Sequence, residues 1–159
     1  MQISQIINEV FQTKLDLSWH PDGVNGWSTT FNVSDQEYGI TIRHDDHNGQ
    51  SFYDVSFHIV ENGGISHAAT NFGRDQFKIL GVVTNGIKKQ IPGAEIIYFA
   101  AKRGNSNSDG EYRNKAALYS RLARRLAVEN NMVSSVQSTG DETVYVLAKT
   151  QQLLNQVKI

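Results

Sequence analysis

Glu95-Ile96-Ile97-Tyr98-Phe99-Ala100-Ala101 is the stretch on which the fold turns. It is apolar on both faces, so it lacks the alternation of a half-exposed strand, and it is too short to stand as a lone helix. A central strand covered on both sides fits both facts. Just upstream, Phe77, Leu80, Val83 or Thr84, and Ile87 recur at helical spacing, with Pro92-Gly93 past the end. Gly81 and Gly86 each weaken that helix by up to about 1 kcal/mol relative to alanine, so packing must hold it. Downstream, Lys115, Tyr119, Leu122, Leu126 and Glu129 form one helical stripe with Ala116, Ala123 and Ala127 beside it. Residues 96–99 are therefore expected in a central strand flanked by helices near 75–90 and 111–129.

Toward the N-terminus the period changes. Trp27, Thr29, Phe31 and Val33 alternate along one strand, Tyr38, Ile40 and Ile42 along a second, and Phe52 to Val60 forms a third. Ser34-Asp35-Gln36 and Asn48-Gly49 supply the turns, so residues 27–60 read as an antiparallel meander with Tyr53, Val55, Phe57 and Ile59 inward. Before it, Ile3, Ile6, Ile7, Val10 and Phe11 lie on one helical stripe ending near residue 14. Gly104 to Gly110 consists only of Gly, Asn, Ser and Asp and reads as a loop. Strands over Met132–Gln137 and Thr143–Lys149 and a short C-terminal helix complete the chain. The fold class is α/β of the α+β kind: a largely antiparallel sheet with helices packed on it, in a single domain over 1–159.

A chain of 159 residues buries roughly 70% of its unfolded surface, enough for one core. With no cysteine there are no disulfides, thiolate metal sites or cysteine nucleophiles, which fits a reducing compartment and leads us to expect a cytoplasmic protein. The N-terminal residues lack the features of a secretory signal, and no run approaches the roughly 18 apolar residues of a membrane span. Fifteen basic against sixteen acidic side chains give a formal charge of −1, so no overall field draws the molecule to nucleic acid. The uneven stretch runs from Lys102 to Arg125, where seven cations face only Asp109 and Glu111. Arg103, Arg113 and Arg121 are its candidate anion contacts, against the plainer reading of a solvated helix face. Few aromatics interleave with them, which weakens a stacking platform for single strands.

Two further clusters invite chemistry. His44-Asp45-Asp46-His47 has the donor types of a metal site, but on a hairpin turn its side chains would splay apart, and no metal is assigned. Asp54, Ser56 and His58 share one strand face and match an acid, nucleophile and base only in composition, since neighbours two apart on a strand stand about 7 Å from each other.

The order helix, three-stranded meander, helix, strand, helix, strand, strand resembles the GNAT family of N-acyltransferases. Leu118-Tyr119-Ser120-Arg121-Leu122 is similar to that family's last-helix motif Leu-Tyr-x-x-Leu-Gly-Phe, departing at Ala123 and Arg124. The resemblance implies Tyr119 as general acid toward a coenzyme A thiolate and His58 or Glu61, at the end of the meander's last strand, as general base. It also implies a pyrophosphate loop over residues 66–76, where only Gly73 and Arg74 match and Asp75 would oppose the charge. Phe99-Ala100-Ala101-Lys102 and Leu118-Tyr119-Ser120-Arg121-Leu122-Ala123 are also similar to pieces of small phage-encoded proteins. The loop lacks its glycines, so the expected function is a small non-catalytic, phage-related protein without cofactor that binds a macromolecular partner, nucleic acid among the candidates. The alternative is an acetyl-CoA-dependent N-acyltransferase.

Overall fold

The structure, a computed structural model, describes residues 17–47, 49–61, 64–66, 76–102, 109–139 and 142–157. Among the described residues eight strands form one sheet: β1 (His20–Pro21), β2 (Gly26–Val33), β3 (Gln36–His47), β4 (Gln50–Glu61), β5 (Gly64–Ser66), β6 (Ile96–Lys102), β7 (Val133–Thr139) and β8 (Glu142–Ala148). The helices among the described residues are α1 (Gln76–Gln90), α2 (Asp109–Glu129) and α3 (Gln151–Gln156). The strand order is β1-β2-β3-β4-β6-β8-β7, with β5 folded back on β4, and only the β4–β6 pair is parallel. This is the expected α+β architecture.

Local chemistry closes the meander where the sequence places its turns. Ser34 and Asp35 take φ of 47° and 66°, the left-handed pair that a two-residue hairpin turn requires. Short polar side chains tolerate that region better than bulky ones. At the other hairpin Gly49 takes φ of 78°. Asn131, at φ 53°, ends α2: the Met132 N–H reaches back to the Ala127 carbonyl at 2.8 Å and satisfies one of the last carbonyls of the helix.

The register sorts the side chains into two faces. On the first, Phe31, Tyr38, Ile40, Ile42, Val55, Phe57, Ile59, Ile97, Phe99, Tyr145 and Leu147 join one core with Ile79, Leu80, Val83 and Ile87 of α1 and Tyr119, Leu122 and Leu126 of α2. The inward meander residues are as the alternation predicts, and Tyr53 packs at the rim of this core. On α1 the expected Leu80, Val83, Thr84 and Ile87 are all buried, and the stripe is wider than expected rather than displaced. Only Phe77 departs, being half exposed, and Ile79 and Val82 join the core beside the expected residues. Gly86 has a packing reason, because a methyl there would stand 2.6 Å from Cδ1 of Leu17, the residue that leads into β1.

β6 is central, between β4 and β8. Its two covers differ from those expected, since α1 and α2 pack on each other on the same side of the sheet. The second face of β6 is covered by the short α3. There Leu154 packs with Ile96, Val144, Val146 and Ala148, and Leu153, Tyr98 and Phe52 surround them. Thr150 caps α3, its hydroxyl accepting from the Leu153 N–H at 3.1 Å. The helix expected to end near residue 14 lies outside the described residues. No helix among the described residues is long and apolar enough to cross a membrane.

Candidate functional site

The β4–β6 seam holds only three registered pairs: Tyr53 with Ile97, Asp54 with Tyr98 and Val55 with Phe99. Beyond them both strands run on, β4 to Glu61 and β6 to Lys102, without pairing to each other. The sheet forks at this point. A strand residue turns its N–H and C=O toward the same neighbour, and those of Phe57 would be left bare by the fork. Both are taken by one group from α2. The Tyr119 hydroxyl accepts from the Phe57 N–H at 2.9 Å and donates to the Phe57 carbonyl at 3.1 Å.

Tyr119 is 1% exposed, and its ring tilts against Phe99 at 5.7 Å between centroids. Burial drives its pKa well above that of an ordinary phenol, only partly offset by the bond to Phe57, and the charge of Asp54 pushes it further up. At neutral pH the hydroxyl is therefore a protonated donor. The helical stripe places the ring correctly, but no sequence signal marks the atom it meets, because Phe57 and Tyr119 converge only through the fork.

The second face carries the polar chemistry. One cross-strand row runs Gly26, Arg43, Asp54, Tyr98, Val146, Ser135 from β2 to β7. Gly26 is tight: a methyl on it would lie 2.6 Å from the Asp22 carbonyl oxygen and 3.4 Å from Cγ of Arg43. Beside the row, Asp22, Val24, Arg43, Asp45, Phe52 and Asp54 line an open cleft of about 490 Å³. Phe52 stacks flat on Tyr98, with centroids 5.3 Å apart.

Asp54 keeps solvent access, yet crowding by protein atoms raises its carboxyl pKa above the usual range. Arg43 opposes that shift, and Glu142 and Asp45 add to it. The Tyr98 phenol is raised by burial first, then by Asp54 and Asp45. The cleft is thus acidic on balance, with one arginine facing several carboxylates and an aromatic wall.

Asp54, Ser56 and His58 share this face, as the period predicts. His58 is buried, 6% exposed, rather than the open side chain of a solvated strand. Glu61 ends β4 and Arg113 lies within α2, but their side chains are outside what the structure describes. Gly73, Arg74 and Arg103 lie outside the described residues altogether. Arg121 is exposed on α2, so of the three candidate anion contacts its side chain alone is placed.

The sequence places His44-Asp45-Asp46-His47 on a turn, and here the structure corrects it. The β3–β4 ladder continues to His47 opposite Gln50, so these residues alternate along a strand. His44 Nε2 stands 3.6 Å from Asp46 Oδ1, which also accepts from the Ser51 hydroxyl at 2.7 Å. Asp45 points to the other face, and no group of three or more His, Cys, Asp or Glu side chains among the described residues is arranged to hold a metal. The sequence reading missed the cleft, whose Arg43–Asp54 pairing follows from hairpin register, a signal present in the two turns. No family model, no curated protein and no solved structure matches this chain.

Proposed function

We propose that the chain is a small non-catalytic, phage-related protein on a GNAT-like scaffold that binds a macromolecular partner through the acidic cleft. The double hydrogen bond from Tyr119 to Phe57 carries the non-catalytic part of this reading. An extended cofactor chain lying in the fork would draw on the strand's own N–H and C=O groups, and those of Phe57 are already satisfied by a buried side chain. The cleft fits a cationic segment of a partner protein. Asp22, Asp45 and Asp54 outnumber Arg43, Phe52 offers an apolar and cation-accepting surface, and Val24 at the rim is 99% exposed.

Two titrations test this. Acetyl-CoA at micromolar concentration is expected to leave the melting temperature unchanged, whereas a ligand at 100 times its Kd would stabilise the fold by about 2.7 kcal/mol. A lysine-rich peptide is expected to bind at low salt and to lose binding in Asp54→Lys. A saturable acetyl-CoA shift overturns the first half, and absence of peptide binding overturns the second. Labelled DNA bound at low salt and released as salt rises would move the partner site to Arg103, Arg113 and Arg121 instead.

A second reading, an acyl-CoA-dependent N-acyltransferase, is favoured by one observation. The forked parallel seam has a tyrosine hydroxyl at its mouth, delivered by the helix after β6. Under that reading Tyr119→Phe abolishes turnover while acetyl-CoA binding persists.

A further inference from the structure

The two edges of the sheet are built differently. β1 is two residues long and contains Pro21, both features that prevent further pairing. β7 at the opposite edge is seven residues long, Val133-Ser134-Ser135-Val136-Gln137-Ser138-Thr139, with no charge, proline or glycine. It pairs with β8 one-to-one over its full length, without a bulge. Among the described residues no strand lies on its outer side. Natural edge strands are normally blunted by lysine, proline, bulges or shortness, and β7 has none of these.

We infer that β7 pairs antiparallel with β7 of a second copy, about a two-fold axis through Val136, to give a continuous sheet across a homodimer. The sequence is self-complementary in that register. Val136 meets Val136, Ser135 meets Gln137, Ser134 meets Ser138, and Val133 meets Thr139. A symmetric interface forms every contact twice, and β7 carries no charge that would have to be set against an uncharged residue there.

Two observations on individual residues agree. Val136 is 61% exposed on the helix side of β7, where neither α1 nor α2 covers it, and pairing would place it against its own copy. The Ser135 hydroxyl is buried without a hydrogen-bond partner. Gln137 of the second copy would stand directly opposite it, with an amide able to donate or accept. This inference is independent of the function proposed for the cleft.

Sedimentation velocity of the wild-type chain over a micromolar to submillimolar range is expected to show the apparent mass doubling with concentration. Val136→Lys, at an exposed position that leaves the fold intact, is expected to return the monomer mass throughout. Because the chain has no cysteine, Val136→Cys gives a clean register test. It is expected to oxidise to a cross-linked dimer, while Ser134→Cys, whose mate lies four residues away along the strand, does not. A wild type that stays monomeric, a Val136→Lys variant that still dimerises, or equal cross-linking of both cysteine variants would each overturn the inference.

Discussion

His58 and Gly39 face each other across the β3–β4 ladder, and the imidazole occupies the space where a side chain on Gly39 would begin. His58 is buried on the face away from the long helices, and that burial is possible because its cross-strand mate has no Cβ. In an exposed strand Ala is preferred over Gly. Here the clash wins, and Gly39→Ala is expected to destabilise by about 1–3 kcal/mol. Gly93→Ala, with no atom within 4 Å of the added methyl, is the control. Adding His58→Ala to Gly39→Ala should recover part of the loss in denaturant titrations, since the two positions couple directly.

Tyr119→Phe removes one oxygen and leaves two buried backbone groups of Phe57 without their partner. The expected cost is about 1–3 kcal/mol, read as a fall in the denaturation midpoint with an unchanged slope. The Phe57 amide should also exchange faster with solvent. An unchanged midpoint would mean that water enters the fork and replaces the hydroxyl.

Asp54 gives the molecule a pH dependence of definite sign. Its folded pKa is raised, so between the ordinary carboxylate value and that raised value the folded state holds the proton more tightly than the unfolded chain. The associated stability is fully present below the unfolded pKa and is lost as pH rises through the folded one. Asp54→Asn is therefore expected to raise the melting temperature near pH 7, and to give a smaller gain below about pH 4. A loss near neutral pH would mean that attraction to Arg43 outweighs burial and the charges of Glu142 and Asp45.

The short C-terminal helix is a structural cover, and its removal should be felt across the second face of β6. Leu154 is 7% exposed among Ile96, Val144, Val146 and Ala148. Leu154→Ala is expected to cost about 2 kcal/mol, near the lower end for buried leucine because a short terminal helix can settle into the space. Thr150→Ala, which loses the cap on the Leu153 N–H, should cost about 1 kcal/mol. Both are measurable by chemical denaturation.

What the sequence discloses follows from periodicity and turns. Alternation fixes which residues of the meander face inward, and the two-sided apolar run places β6 in the centre of the sheet. Periodicity does not say which neighbour supplies the second cover, so α3, with only Leu153 and Leu154 as apolar anchors, is passed over in favour of two long amphipathic helices. β1 and β5 are missed because two or three residues cannot show a period. Tyr119 is legible as a helix-stripe aromatic. Its hydrogen bonds to Phe57 are not legible, since they depend on where a parallel seam ends. The same holds for Asp54, whose pKa is raised first by burial among strands brought together only in the fold, and then by charges that include Glu142 of β8.

That seam has a consequence for the order in which the molecule assembles and opens. The meander strands are joined by turns of two residues, and β7 and β8 are likewise neighbours in sequence, so each group closes its loops at small entropic cost. Tyr53 must instead find Ile97 across the whole of α1, and only three residue pairs hold the union. The shared core holds the two hairpin-wired groups together across the seam, but the backbone ladder is thinnest there, so local opening should begin at the seam. The amides of the seam, and the Tyr119 contact that guards its end, should exchange before those of the hairpin ladders on either side.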